Sequence, residues 1–195
     1  MSALPPPATA DLSVIETEMR QWLERAVIGL NLCPFAKSVY IKNQVRFVVS
    51  RAIHLDALLE ELDRELDLLA ETDPADVDTT LLIHPWVFQD FMDFNDLLEI
   101  TDQVLLEHQL EGELQIAAFH PEFQFADTEP DDVGNYSNRA PYPTLHLLRE
   151  ASIDRAVAAF PEAEAIYLRN IETLQKLGHE GFAKVLRGDG TAEDE

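Results

Sequence analysis

The sequence predicts an α/β fold, in which a small, mainly parallel sheet is covered by helices and followed by a helical C-terminal third. Three short segments rich in β-branched and aromatic residues alternate with amphipathic helical segments, which indicates a β-α-β-α-β core. Strands that alternate with helices are joined by right-handed crossovers, and such crossovers favour parallel neighbours. The predicted strands are residues 45–50, 79–84 and 113–120.

Helical periodicity accounts for most of the remaining chain. The first helix is predicted to begin near Ser13, which can form a capping-box pair with Glu16. Apolar residues at helical spacing, with acidic residues between them, predict two further helices at 55–69 and 94–109. The C-terminal third is predicted as helices over 144–159, 161–177 and 180–186, after an irregular segment at 121–143.

The chain of 195 residues has the length of one domain. Residues 1–10 contain three consecutive prolines, and residues 188–195 are rich in glycine and acidic residues, so both ends are predicted to be disordered tails. A single α/β domain is therefore expected over residues 11–187.

Charge excludes several classes of partner. The 14 basic and 37 acidic residues give a net charge of −23, which repels nucleic acid and anionic membrane surfaces. The chain has no apolar run long enough to span a bilayer, and its N-terminus does not resemble a signal peptide. The single cysteine, Cys33, suits a reducing compartment, so we expect a cytoplasmic protein.

Two predicted strands end in the same dipeptide, His84-Pro85 and His120-Pro121. A residue before proline is held extended, so each histidine should end its strand. In a parallel sheet both imidazoles then emerge at the same edge, where α/β folds bind ligands. Such a pair is suited to acid–base catalysis or to a divalent metal such as zinc. The alternative is that His-Pro only terminates the strands and the rings pack among aromatic neighbours.

Cys33 lies in the segment NLCPFA, directly after the first predicted helix. A thiol near Lys37 is suited to act as a nucleophile or as a soft metal ligand, because a neighbouring positive charge favours the thiolate. The alternative is a small buried side chain with no chemical role.

The segment NRAPYPTLHLLRE carries a candidate anion site. Pro143 suits the first position of a helix, which would place His146 and Arg149 on one helical face near the helix N-terminus. Free N–H groups at that terminus and forked guanidinium donors suit a carboxylate or phosphate. The ligand-binding residues would then be Asn138, Arg139 and Arg149, with His146 assisting catalysis. The alternative is an ordinary ion pair between Arg149 and one of the many acidic residues.

Several sequence segments together resemble those of an uncharacterised bacterial family, domain of unknown function 1415. These segments are NLCPFA, the two His-Pro dipeptides (the second within HPEFQF), NRAPYPTLHLLRE and RNIETLQKLG. The resemblance extends from about Ser13 to Leu186. The resemblance implies that the candidate site residues lie in the family's motif words but implies no particular reaction. These residues are Cys33, His84, His120, Arg139, His146 and Arg149.

Two functions follow from the residues. The first is an enzyme, a hydrolase or group transferase, that acts on a small anionic metabolite held by Arg139 and Arg149. In that enzyme His84 and His120 act as acid, base or metal ligands, and Cys33 or His146 assists. The second is a non-catalytic module that binds a metabolite or a metal, or that uses its acidic surface for a protein partner.

Overall fold

The α/β fold is confirmed, but the sheet is mixed rather than mainly parallel. A computed structural model describes residues 5–159 and 165–189. In chain order its elements are α1 (Leu12–Trp22), a π-helical turn (Leu23–Ile28), α2 (Ala36–Ile41), β1 (Val45–Val49), α3 (Leu55–Glu71), β2 (Thr79–Ile83), α4 (Phe91–Glu107), β3 (Leu114–Phe119), a 3₁₀ helix (Val133–Ser137), β4 (Thr144–Arg149), α5 (Glu150–Ala159) and α6 (Ala165–Arg187).

The fourth strand is the main departure from the prediction. The sheet order is β1-β2-β4-β3, and β4 runs antiparallel between β2 and β3. The prediction of a helix over 144–159 is therefore wrong for its first six residues, and α5 begins only at Glu150. Pro143 precedes a strand, where its missing N–H is no loss, and its carbonyl accepts the His84 N–H at 2.9 Å.

The three predicted strands do point in one direction. β1 and β2 are parallel neighbours, whereas β3 is separated from β2 by the inserted β4. The C-terminal ends of β2 and β3 therefore lie at the same edge of the sheet, as the sequence predicts. In the register across the sheet, His146 of β4 lies opposite Leu81 of β2 and Ala117 of β3.

Each face of the sheet has its own hydrophobic core, because side chains alternate between the faces along a strand. On one face, α3 and α4 pack against Leu82, Leu145 and Leu147. On the other, α1, the π-helical turn and α6 pack against Leu81 and Ile83. Neighbouring residues of one strand therefore belong to different cores.

Two helices begin at side-chain caps that lie two or three residues before their predicted starts. α1 begins with Asp11 as its N-cap, whose Oδ1 accepts the N–H of Ser13 at 3.0 Å, so the predicted cap at Ser13 is wrong. α4 begins at Phe91 with Asp90 as its cap, three residues before the predicted start. α6 is interrupted at Gly178 (φ 62°), which confirms the predicted stop there.

The segment between β3 and β4 is ordered around one buried side chain. Asn135 is fully buried, and its Oδ1 accepts the backbone N–H of Phe125 and the hydroxyl of Thr128, each at 3.0 Å. Its Nδ2 donates to the carbonyl of Glu129 at 3.0 Å. The chain therefore folds back on itself here without a strand or a long helix.

The predicted tails fall partly outside the described residues, which exclude 1–4, 160–164 and 190–195. Within residues 5–10, Ala10 is buried, and the carbonyl of Pro5 accepts the indole N–H of Trp86 at 3.0 Å. Among the described residues, no helix combines the length and the apolar character that crossing a membrane requires.

Candidate functional site

His84 and His120 lie at the same edge of the sheet, and a single phenyl ring separates them. Their side chains leave the ends of β2 and β3 on the face covered by α4. The ring of Phe94 stacks on His84 at 5.6 Å and on His120 at 5.1 Å between ring centroids. Both histidines are buried, at 0% and 1% relative exposure. The predicted shared location is found, but the two imidazoles do not face each other.

Hydrogen bonds assign the proton of each imidazole. His84 Nδ1 donates to the carbonyl of Val87 at 3.1 Å, which leaves the lone pair on its buried Nε2. His120 Nδ1 accepts the N–H of Glu122 at 3.0 Å, and its Nε2 donates to the carbonyl of Phe88 at 3.1 Å. Burial lowers the pKa of both histidines, that of His84 to about 4, so both are neutral at pH 7.

This arrangement does not fit a metal ion. Both nitrogens of His120 already have partners, and Phe94 keeps His84 from sharing a ligand with it. Among the described residues, no group of three or more His, Cys, Asp or Glu side chains is placed to hold a metal. The predicted zinc site at His84 and His120 is not found among the described residues, where both rings stack on Phe94.

Arg149 is a structural residue in this fold. It is 8% exposed, and its guanidinium donates to the carbonyls of Leu69, Thr72 (2.6 Å) and Val77 (3.1 Å). These carbonyls belong to the end of α3 and the loop that leads into β2. Because residues 144–149 form a strand, His146 and Arg149 lie on opposite faces of the sheet, and the predicted shared helical face is wrong.

Arg139 and Asn138 lie at the other end of β4 from Arg149. Each of the six residues of the strand adds about 3.3 Å to its length, so the two arginines lie too far apart to bind one small anion together. Arg139 donates to the carbonyls of Phe123 at 3.0 Å and Pro130 at 2.6 Å. Asn138 donates its side-chain amide to Ala118 at 3.3 Å.

Arg139 also lines a surface hollow of about 500 Å³, together with Asp90, Glu122 and Gln124. The two carboxylates there oppose the binding of an anion. In this structure the side chains of Asn138 and Arg139 instead hold the segment between β3 and β4 through their hydrogen bonds to backbone carbonyls.

A cavity of about 690 Å³ lies on the opposite face of the sheet from His84 and His120. Its floor is formed by the strands, its roof by the end of α1, the π-helical turn and the residues around Cys33, and one side by α5. Most of the lining is apolar. Its lining includes the polar and aromatic side chains of Trp22, Cys33, Lys42, Asp78, Thr79, Phe119, His146 and Arg155.

His146 lies on the floor of this cavity with a defined tautomer. Thr79 has a single hydroxyl proton, which it donates to the carbonyl of Leu147 at 2.6 Å. The 2.7 Å contact between Thr79 Oγ1 and His146 Nε2 must therefore be a bond from the imidazole N–H to the hydroxyl. The lone pair of the neutral ring is then on Nδ1. Burial lowers the pKa of His146 to about 4, so this neutral form is present at pH 7.

Cys33 and His146 are the only two predicted catalytic residues that line this cavity among the described residues. Cys33 is half-buried and free, in the turn between the π-helical turn and α2. Lys42 and Arg155 line the mouth, where Asp78 accepts a hydrogen bond from Ser152 at 2.6 Å and lies 4.0 Å from Arg155. The residues predicted to share one pocket therefore lie on two different faces of the sheet.

Sequence reasoning missed four of the residues that define the cavity: Trp22, Lys42, Thr79 and Arg155. Trp22 is one of the buried residues of α1 and carries no local signal for a ligand site. Thr79 is 67 residues from His146 in sequence and becomes its neighbour only because β4 pairs with β2. A threonine at the start of a strand carries no local signal for such a bond.

Comparison with known proteins places the chain in a family without extending the functional argument. No curated protein and no solved structure matches the chain. One family model, described as a protein of unknown function (DUF1415), matches residues 14–184. That match covers most of the 195 residues and agrees with the resemblance noted in the sequence. The chain belongs to the DUF1415 family.

Proposed function

We propose that the protein binds a small organic molecule with a mainly apolar body in the 690 Å³ cavity between the sheet, α2 and α5. The cavity itself carries this proposal. Its volume falls within the range of about 300 to 1,000 Å³ typical of small-molecule sites, and its lining combines apolar walls with a few convergent polar groups. Burial of apolar ligand surface supplies the main binding free energy.

Charge around the mouth limits the ligand to few negative charges. The net charge of −23 repels anions from the protein as a whole, whereas Lys42 and Arg155 create a small local reversal that Asp78 partly offsets. A monocarboxylate with an apolar body fits this pattern better than a polyphosphate. The anionic metabolite predicted from the sequence is thus retained, with Lys42 and Arg155 in place of Arg139 and Arg149.

A helix-face substitution tests the site. Ala156 of α5 lines the cavity and is half-buried, whereas Ala158 of the same helix is exposed and does not line it. We expect Ala156→Phe to abolish the binding of apolar monocarboxylates, such as phenylbutyrate and octanoate, measured by calorimetry and thermal shift. Ala158→Phe should bind as the parent does. Equal binding by both variants would place the ligand elsewhere, and no binding by the parent would remove the proposal.

A second candidate function is hydrolysis or group transfer at Cys33. The observation that favours it is that a thiol and an oriented, neutral imidazole line the same cavity. In an acyl transfer, Cys33 Sγ would bond to the acyl carbon while its proton passes to His146 Nδ1 and then to the departing alcohol. Water would cleave the thioester and restore the thiol. A non-catalytic binding module remains the simpler function of the same cavity.

Acylation of the thiol distinguishes enzyme from binding module. With p-nitrophenyl butyrate, the enzyme should release p-nitrophenol at a rate that saturates with ester concentration and should carry a butyryl group on Cys33 by mass spectrometry. Cys33→Ala should lose the adduct, and His146→Leu should slow its formation at least about tenfold. Ester cleavage that persists in Cys33→Ala, or an adduct that forms equally fast in His146→Leu, would leave only the binding module.

A cytoplasmic location and the absence of a nucleic-acid partner belong to the same proposal. They are supported by the single cysteine and by the net charge of −23. Fractionation of the native host would test the location, and a salt-dependent mobility shift with DNA or RNA would contradict the second expectation.

A further inference from the structure

We propose that the ligand presents a carboxamide-type group, with a carbonyl oxygen and an N–H, to Trp22 and His146 at the inner wall of the cavity. The inference rests on the proposed binding function and adds the chemistry of the buried end of the ligand. It follows from two hydrogen-bonding groups on this wall that have no partner among the described residues.

The first group is the indole N–H of Trp22. Trp22 is 2% exposed and lines the cavity, and its Nε1 finds no acceptor within residues 5–159 and 165–189. Buried indole N–H groups normally have an acceptor. The other tryptophan follows that rule, since Trp86 Nε1 donates to the carbonyl of Pro5 at 3.0 Å. An oxygen supplied by a ligand would satisfy Trp22.

The second group is the Nδ1 lone pair of His146. The bond to Thr79 places the ring proton on Nε2, so Nδ1 is an acceptor, and no donor reaches it from the described part of the chain. His146 lines the same cavity as Trp22. Both rings contact Phe119, with centroid distances of 5.0 Å from Trp22 and 5.6 Å from His146. The two rings that carry this donor and this acceptor therefore contact the same phenyl ring.

A carboxamide is the smallest common group that supplies both an acceptor and a donor while staying neutral. A carboxylate supplies no donor, and its charge would enter a mainly apolar wall, whereas the basic side chains that line the cavity, Lys42 and Arg155, are exposed to solvent. A ketone satisfies Trp22 only. The wall therefore favours an amide over an acid or a ketone of the same shape.

Three ligands of nearly equal shape separate these contributions: 4-ethylbenzamide, 4-ethylacetophenone and 1,4-diethylbenzene. We expect Trp22→Phe to weaken the binding of the amide and of the ketone about fivefold each, and the binding of the hydrocarbon less than about twofold. His146→Leu should weaken the binding of the amide by a similar factor and leave the binding of the other two ligands nearly unchanged. Because each variant is compared across the three ligands, a general loss of packing appears in the hydrocarbon and cancels.

An independent measurement uses the parent protein. With two tryptophans in the chain, the indole N–H region of a ¹H–¹⁵N spectrum is simple, and Trp86→Phe assigns the Trp22 signal. The amide and the ketone should move that signal downfield, whereas diethylbenzene should not. A Trp22 signal that the amide leaves in place would overturn the inference, since the indole would then have a water molecule or nothing as its partner.

The outcomes separate this inference from the proposed function. Equal responses of the three ligands to Trp22→Phe and His146→Leu, with binding still blocked by Ala156→Phe, would overturn the amide and leave the cavity as a binding site. Carboxylate binding at the cavity without binding of the benzamide would do the same. If neither the carboxylates nor the three neutral ligands bind, both proposals fall.

Discussion

Three histidines that are ionisable near neutral pH are held neutral by this fold. His84, His120 and His146 each have a lowered pKa whose main cause is burial, to about 4 for His84 and His146. Each ring has its proton directed by one partner, a carbonyl for His84 and His120 and the Thr79 hydroxyl for His146. At the residue scale, burial and one hydrogen bond therefore decide the chemistry of these side chains.

Stability should depend on pH because of these histidines. Between pH 6.5 and about 4 the unfolded chain takes up a proton at His84 that the folded protein excludes, so the free energy of unfolding falls as the pH falls through this window. We expect His84→Asn, which cannot titrate but keeps a donor near Val87, to reduce this loss by up to about 3 kcal/mol. Urea unfolding at several pH values measures it.

The matched control is His54→Asn. His54 is exposed at the N-cap of α3, and asparagine is an accepted N-cap residue. The pH dependence of His54→Asn should exceed that of His84→Asn, because the His54 variant keeps the buried His84. If His84→Asn also keeps the full dependence between pH 6.5 and 4, His84 is not held neutral by burial in the folded protein.

Arg149 should affect stability and leave ligand affinity unchanged. Its guanidinium serves three backbone carbonyls at the junction of α3 and β2, and a lysine cannot reproduce that fork. We expect Arg149→Lys to lower the free energy of unfolding by about 2 kcal/mol, because buried carbonyls lose their donors. The exposed Arg64→Lys on α3 should change it by less than about 0.5 kcal/mol. Loss of ligand binding without loss of stability would instead support the anion site predicted from the sequence.

At the scale of elements, side-chain caps decide where helices start. Asp90 accepts the backbone N–H groups of Met92 at 2.8 Å and Asp93 at 3.2 Å, which satisfies two of the free donors of α4. We expect Asp90→Ala to destabilise the protein by about 1 kcal/mol. Asp93 lies in the first turn but is not the cap. Asp93→Ala should therefore lower the free energy of unfolding by only about a few tenths of a kcal/mol, because it removes only the interaction of this carboxylate with the helix dipole. Equal losses in thermal unfolding would mean that charge, and not the cap, stabilises this end.

β4 shows why one element escaped prediction. Its sequence TLHLLR contains leucines, which favour helices, and it runs directly into a true helix at Glu150. The alternation of Leu145 and Leu147 with His146 is a strand pattern, but a segment of six residues fits both periods. Pairing with β2 and β3 on both sides selected the strand, because only the extended form satisfies the ladder of both neighbours.

For the whole molecule, self-repulsion is the dominant long-range electrostatic effect. A net charge of −23 destabilises the compact state, and salt screens that repulsion. We expect the melting temperature at pH 7 to rise as NaCl is increased from about 20 to about 200 mM, over which the screening length shortens severalfold. Differential scanning calorimetry measures this.

The control uses the protein's own charge. Near the isoelectric point of about 4.4 the net charge vanishes, so the same salt increase should leave the melting temperature nearly unchanged. A salt effect of equal size at both pH values would indicate specific ion binding in place of screening.

The sequence by itself determined the family, the three strands that run in one direction, the amphipathic helices and the common edge of His84 and His120. Each of these depends on local information: motif words, side-chain periodicity, and the restriction that proline places on the preceding residue. The acidic charge and its effect on anionic partners likewise need only composition.

Only the tertiary structure decided which of the candidate residues share a site. The insertion of β4 between β2 and β3 sends His146 to the face that carries Cys33 and Trp22, whereas Arg149 faces the end of α3. Phe94 came to lie between the two histidines because α4 packs across the strand ends. These are contacts between residues far apart in sequence, and they depend on strand pairing and core packing, which no local pattern encodes.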